Sequence, residues 1–126
     1  QADPEFLELG NHTMTHPALS ALPPQRQLVE IADASKRIHS LTGRTPIAVA
    51  YPFGRKQHYA ADARRCAKDC GLLAAMDLRR RINRPDVDPL DLSRFPVPHD
   101  SQEDFERAVE DWPQNSRRIR VVNNHE

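Results

Sequence analysis

Net charge is missing from this chain. Lys+Arg and Asp+Glu balance at 18 each over 126 residues, so no overall field favours nucleic acid, an acidic polymer or a membrane surface. A neutral or weakly charged partner is the default. Long apolar runs are missing as well, and none approaches the ~20 residues a membrane span requires. Only four glycines occur, and they form no phosphate-cradling loop. Neither a G-x-S-x-G elbow nor a C-x-x-C pair is present, which leaves nucleotide, serine-hydrolase and thiol-redox readings without a foothold. Cysteine is limited to Cys66 and Cys70, whose i, i+4 spacing in a helix suits a disulfide poorly. They read as buried free thiols and say little about redox compartment. No signal-peptide pattern follows Gln1, which leaves the compartment open.

What is present is the composition of an ordinary globular domain, 38% hydrophobic and 29% charged, at a length that fits one domain or part of one. Short apolar runs alternate with helical periodicity. Phe6 to Leu9 reads as a buried strand ending at Gly10. Gln25 to Leu41 follows the Pro23-Pro24 entry, carries an apolar stripe through Leu28, Ile31, Ala32, Ile38 and Leu41, and meets its stop at Gly43. Ile47 to Tyr51 is a second strand, closed by Pro52 and Gly54. A helix over Tyr59 to Cys70 precedes the strand Leu72 to Met76, and Arg79 to Asp91 is a charged loop. Leu92 to Val97 is a short strand confined to an edge by Pro96. Ser101-Gln102-Glu103-Asp104 has the capping-box form and opens a helix reaching Trp112. Ile119 to Val122 could form a last strand, and residues 113–126 a poorly ordered tail. This alternation predicts parallel βα units. About four units are too few for a closed parallel barrel, which needs ~250 residues.

The residue types with chemistry to offer cluster in two stretches. Gly10-Asn11-His12-Thr13-Met14-Thr15-His16-Pro17 sets two histidines four apart in a polar, turn-prone segment. Histidine is the commonest metal ligand, and two can supply half of a tetrahedral site. The same pair could equally be capping or surface histidines. Asn11, Thr13 and Thr15 are small polar residues able to orient imidazoles through their second ring nitrogens. Pro17 biases His16 away from helical backbone, which predicts a strand-to-helix turn. The second stretch is Ala50-Tyr51-Pro52-Phe53-Gly54, a strand end with a turn. Further on, Ser93-Arg94-Phe95-Pro96-Val97 holds an arginine able to pair with a carboxylate. Arg79-Arg80-Arg81 with Arg84, and Arg117-Arg118 with Arg120, read as solvated, self-paired loops, since the aromatics that stack nucleic-acid bases do not interleave them. His39 and His58 are expected on solvated helix surfaces or starts.

The histidine segment resembles the H-[ST]-x-x-H motif of the polysaccharide deacetylase family (NodB-homology domains, carbohydrate esterase family four). Pro52-Phe53-Gly54 is similar to its R-x-P-[YF]-G motif. The arginine of that motif falls on Ala50, as in an aromatic-Pro-aromatic-Gly branch of the family. The resemblance covers residues 6–109. It implies an α/β fold that is the later part of a distorted parallel (β/α) barrel, incomplete in this chain. It implies metal-assisted hydrolysis of acetyl groups on N-acetylated polysaccharide, resembling chitin, peptidoglycan or poly-N-acetylglucosamine. It also implies one divalent metal, Zn2+, held by His12 and His16, and an oxyanion donor in the Phe53 backbone N–H. Tyr51, Pro52 and Arg94 would bind substrate, and His125, or less closely His99, would be the general acid. The partner is then a glycan rather than nucleic acid, and the location the cell envelope, the periplasm or outside. The family's Asp-Asp pair, metal ligand and general base, has no counterpart here, because no Asp-Asp dipeptide occurs. That implies an N-terminally truncated domain which by itself is inactive or nearly so. The competing expectations are a non-catalytic α/β module that binds sugar or a partner, and a domain whose histidines are structural.

Overall fold

The computed structural model describes residues 8–59, 61–79, 81–96 and 101–110, with side chains as far as 107. Three parallel strands, β1 (Ala48–Ala50), β2 (Ala74–Asp77) and β3 (Leu92–Ser93), lie in the order β1-β2-β3. Val49 stands opposite Ala75 and Asp77 opposite Ser93. Helices α1 (Pro24–Thr42), α2 (Ala61–Asp69) and α3 (Gln102–Glu110) complete the elements, with single 3-10 turns at Leu19–Ala21, Lys56–His58 and Pro89–Asp91. No helix among the described residues is long and apolar enough to cross a membrane.

Local chemistry sets the helix ends. Pro23 caps α1 in extended backbone and Pro24 takes its first position, where the missing N–H costs nothing. At the other end Gly43 adopts φ 72° and its N–H donates to the His39 carbonyl at 2.8 Å, the left-handed cap expected of glycine. Ser101 Oγ accepts from the Asp104 N–H at 3.1 Å, so the capping box before α3 forms.

The strands alternate with period two. Val49, Ala75, Asp77 and Ser93 turn to the face covered by α1 and α2, while Ala48, Ala50, Ala74, Met76 and Leu92 on the other face are half-buried. Leu19, Ile31, Val49, Tyr51, Tyr59, Ala63, Cys66, Ala67, Leu72 and Ala75 form the core between sheet and helices. Cys66 is buried and Cys70 half-buried, both as free thiols, as their spacing predicts.

Three element expectations need revision. Glu8 and Leu9 form no ladder, and the first pairing is a single parallel bridge between Asn11 and Val49. β3 is two residues long rather than six, in keeping with a proline at 96 that has no N–H to extend the ladder. Of the arginines after β2, Arg79 and Arg81 are half-buried rather than solvated, and they pair with Asp77 and Asp91. Phe6, Leu7, the strand expected at 119–122 and the tail expected at 113–126 lie outside the described residues.

Candidate active site

All the candidate residues within the described structure collect at the carboxyl ends of the parallel strands, the edge at which open α/β sheets build sites. His12 follows the Asn11 bridge, Phe53 follows β1, and Arg94 follows β3. The His12 and His16 rings meet edge to face with centroids 4.8 Å apart, and His16 meets Phe53 at 4.9 Å.

Between the two histidines the chain turns sharply. Thr13 has φ 66° and His16 φ 59°, left-handed values that cost a non-glycine residue about 1–2 kcal/mol each. Long-range hydrogen bonds hold this backbone. Asn11, 1% exposed, donates through Nδ2 to the Ile31 carbonyl and Ser35 Oγ, both at 2.8 Å, and accepts from the Thr13 N–H at 2.8 Å. Thr13 Oγ1 accepts from the His16 N–H at 3.1 Å. The Glu30 carboxylate accepts from Met14 and Thr15. These small polar residues therefore shape the loop instead of touching the ring nitrogens, as the sequence suggests they should.

The imidazole of His12 is oriented by the backbone. Its Nδ1 lies 2.6 Å from the Ala50 carbonyl oxygen. A carbonyl has no proton to give, so Nδ1–H is the donor, and in the neutral imidazole Nε2 is then the nitrogen that carries the lone pair. That is the arrangement found in metal-ligating histidines, whose second nitrogen is tied to a carbonyl or carboxylate. Donor chemistry and proximity fit two ligand positions of a divalent cation. Among the described residues, no group of three or more His, Cys, Asp or Glu side chains is placed to hold a metal.

Phe53 sits at φ 59° on the turn after Pro52, with its ring half exposed. Its N–H donates to no acceptor among the described residues. Gly54 follows at φ 61°, and a Cβ there would lie 2.7 Å from Leu78 Cγ and 2.9 Å from Leu78 N. Gly54→Ala is therefore expected to destabilise the fold twice over. Left-handed backbone contributes about 1–2 kcal/mol, and displacement of the strand end about 1–3 kcal/mol. Urea denaturation measures the sum, and a change below about 0.5 kcal/mol, the size of an ordinary surface effect, would contradict it.

Tyr51 and Pro52 lie at this edge but are buried. Tyr51 is 1% exposed, stacks on Tyr59 at 4.5 Å, and its hydroxyl has no partner among the described residues. Burial pushes its pKa well above the ordinary tyrosine value, opposed by the charge of Arg64. What Tyr51 presents to the site is its carbonyl, which accepts from Arg94 Nη2 at 3.2 Å. Arg94 thus reaches from the β3 end to the β1 end. Its Nε is buried without a partner among the described residues. Burial lowers the Arg94 pKa, opposed by the charge of Asp77.

Sequence reading missed His58. It is half-buried, its ring lies 5.3 Å from Phe53, and its Nδ1 is buried without a partner among the described residues. It missed Asp77 too, a lone acid at the end of an apolar run that accepts from Tyr59 Oη at 2.6 Å, Ser93 Oγ at 2.9 Å and the Arg79 N–H at 2.9 Å. His99 and His125 lie outside the described residues.

The sequence profile described as polysaccharide deacetylase matches residues 3–75. The chain belongs to the polysaccharide deacetylase family. No curated protein sequence matches it significantly. Among solved structures, a Streptococcus pyogenes deacetylase in complex with acetate is 25% identical with TM-score 0.65, over 78% of this chain and 42% of that one. A Bacillus cereus polysaccharide deacetylase is 21% identical with TM-score 0.61, over 81% of this chain and 32% of that one. The family 4 carbohydrate esterase of Streptomyces lividans, in complex with acetate, is 17% identical with TM-score 0.55, over 85% of this chain and 61% of that one. The chain thus spans less than two thirds of the length of each of these three proteins, and shares their fold over that part.

Proposed function

We propose that this chain carries the histidine metal ligands and the oxyanion donor of a hydrolase that removes acetyl groups from N-acetylated polysaccharide. The observation that carries this reading is the tie between His12 Nδ1 and the Ala50 carbonyl. It aligns a metal-competent imidazole on the same strand, β1, that leads into the Phe53 turn. A divalent ion, Zn2+ in our reading, would be held by His12 and His16. Once bound it would supply Lewis acidity toward an acyl carbonyl and a more acidic water.

The chain's own residues do the rest by position. The Phe53 N–H, held by left-handed backbone and locked behind by Gly54 against Leu78, would donate to the developing oxyanion. A donor of that kind is worth about 3 kcal/mol in the transition state. Arg94 clamps the Tyr51 carbonyl and so keeps the strand end that bears this N–H in place, leaving its other N–H groups to a carboxylate or the substrate. Pro52, buried between them, stiffens the turn, and His125 is assigned the proton for the departing amine. Acetate complexes of two relatives support an acyl product of this class. The polymer would be met at the cell envelope, in the periplasm or outside.

No Asp-Asp dipeptide occurs in the 126 residues, so the chain by itself is read as binding metal without efficient turnover. Calorimetric titration with Zn2+ tests the first half, and failure to bind Zn2+ would remove the metal reading. Incubation with an N-acetylated chitin oligomer and Zn2+ tests the second half, with little or no acetate expected. Robust metal-dependent acetate release would overturn the inactivity.

A further inference from the structure

Glu30 belongs to none of the motifs above. It lies on the first turns of α1, 8% exposed, and its carboxylate is wholly committed to the segment between the two histidines. Oε2 accepts from the Met14 N–H at 3.0 Å and the Thr15 N–H at 2.8 Å, and Oε1 accepts from Thr15 Oγ1 at 2.8 Å. Met14 and Thr15 lie inside the H-x-x-x-H stretch, flanked by the left-handed Thr13 and His16. Isolated, such a backbone would relax, because left-handed values are unfavourable for non-glycine residues and the Met14 and Thr15 N–H groups would lose the carboxylate that holds them. A helix is a rigid support, so a carboxylate fixed on α1 fixes the loop, and with it the separation of the two rings.

We infer that Glu30 is the positioning residue of the histidine pair: by holding Met14 and Thr15 it sets the His12–His16 geometry and hence the metal affinity. This rests on the reading that the pair binds metal. The role is geometric rather than electrostatic, which the chemistry of the three contacts allows to be tested. In Glu30→Gln the amide oxygen can still accept from both N–H groups, as Oε2 does. The amide nitrogen can donate to Thr15 Oγ1, since a hydroxyl also accepts. Glu30→Gln therefore keeps every contact and removes only the charge. Glu30→Ala removes all three contacts.

The experiment is Zn2+ titration by calorimetry on wild type, Glu30→Gln and Glu30→Ala, with the metal-free melting temperature of each measured alongside. Wild-type affinity within about threefold is expected for Glu30→Gln. A loss of about 10–100-fold, the scale for groups that orient metal ligands, is expected for Glu30→Ala. A purely structural role would lower the melting temperature but leave the affinity of the folded protein unchanged, and that result overturns the inference. Equal losses in both variants would assign the effect to charge and overturn it as well. Should Glu30→Ala not fold, Thr15→Val, which removes the Oε1 contact alone, is expected to show a smaller but measurable loss; unchanged affinity there counts against the inference. Wild type that binds no Zn2+ refutes the metal reading itself, whereas wild-type binding with unaltered Glu30→Ala refutes this inference alone.

Discussion

Replacing Asp77 with alanine is expected to destabilise the fold by about 3–5 kcal/mol, the range for breaking a buried charge network at one partner. Total stabilities of about 5–15 kcal/mol are typical of a domain, so the variant would be partly unfolded or close to it. Asp77 is 1% exposed at the end of β2. It binds Tyr59 and Ser93, the Arg79 N–H and the Arg79 side chain, with Arg81 at 3.5 Å. Removing the carboxylate leaves half-buried Arg79 with Asp91 alone and strips the Tyr59 hydroxyl of its acceptor. Urea unfolding measures the loss, and a value under about 1 kcal/mol, the range of a solvated pair, would show that the network does not hold β2, β3 and the intervening loop together.

The same carboxylate predicts a pH dependence. Burial, the largest single influence on Asp77, acts to raise its pKa. The hydrogen bonds from Tyr59, Arg79 and Ser93 together outweigh it and hold the carboxyl below the ordinary value. A carboxylate whose pKa is depressed by folding contributes its full stability above the unfolded-state value, near 4 by the usual reference for aspartate. That contribution is lost as pH falls through the lower folded value. Wild type is therefore expected to lose stability in acid below about pH 4, and Asp77→Asn to lose less over the same interval. Parallel acid-unfolding curves for the two proteins would contradict this assignment.

The second large effect concerns the proposed ligands. His12→Ala and His16→Ala are each expected to lower Zn2+ affinity by on the order of 100-fold or more, since groups that merely orient ligands already account for 10–100-fold. His12→Ala gives up the hydrogen bond to the Ala50 carbonyl, but both side chains are exposed, so metal-free stability should fall by no more than about 1.5 kcal/mol, the upper range for one hydrogen bond. Calorimetric titration reads the first quantity and urea denaturation the second. Unaltered Zn2+ binding in either variant would exclude that histidine as a ligand. A large loss of metal-free stability would instead make its role structural.

Much of the fold was legible because its signals are local. Pro23-Pro24 and Gly43 bracket α1 to within one residue of its observed ends, since a missing N–H and a left-handed cap act within one turn. Val49 and Ala75 fall in the short apolar runs read as strands, although the strands formed are shorter, Ala48–Ala50 and Ala74–Asp77, and Ser101 announces α3. The histidine pair and Pro52-Phe53-Gly54 were legible as motifs for the same reason: residue type and spacing are properties of the chain.

What the chain could not declare on its own rests on partners far apart in sequence. Glu30 meets Thr15 across 15 residues, His12 meets Ala50 across 38, and Arg94 meets Tyr51 across 43. Nothing in a run of residues marks Glu30 apart from other helix acids, or Asp77 apart from a strand end. Burial decides both, and burial exists only once α1 and α2 cover one face of the sheet. His58 illustrates the reverse error: a polar residue on a short turn reads as solvated until the Phe53 ring closes over it. By itself the sequence determined which chemical groups are available and where the backbone must turn. Only the tertiary structure decided which nitrogen of His12 is tied down and which carboxylates are withdrawn from water, because each depends on hydrogen bonds that form when distant segments pack.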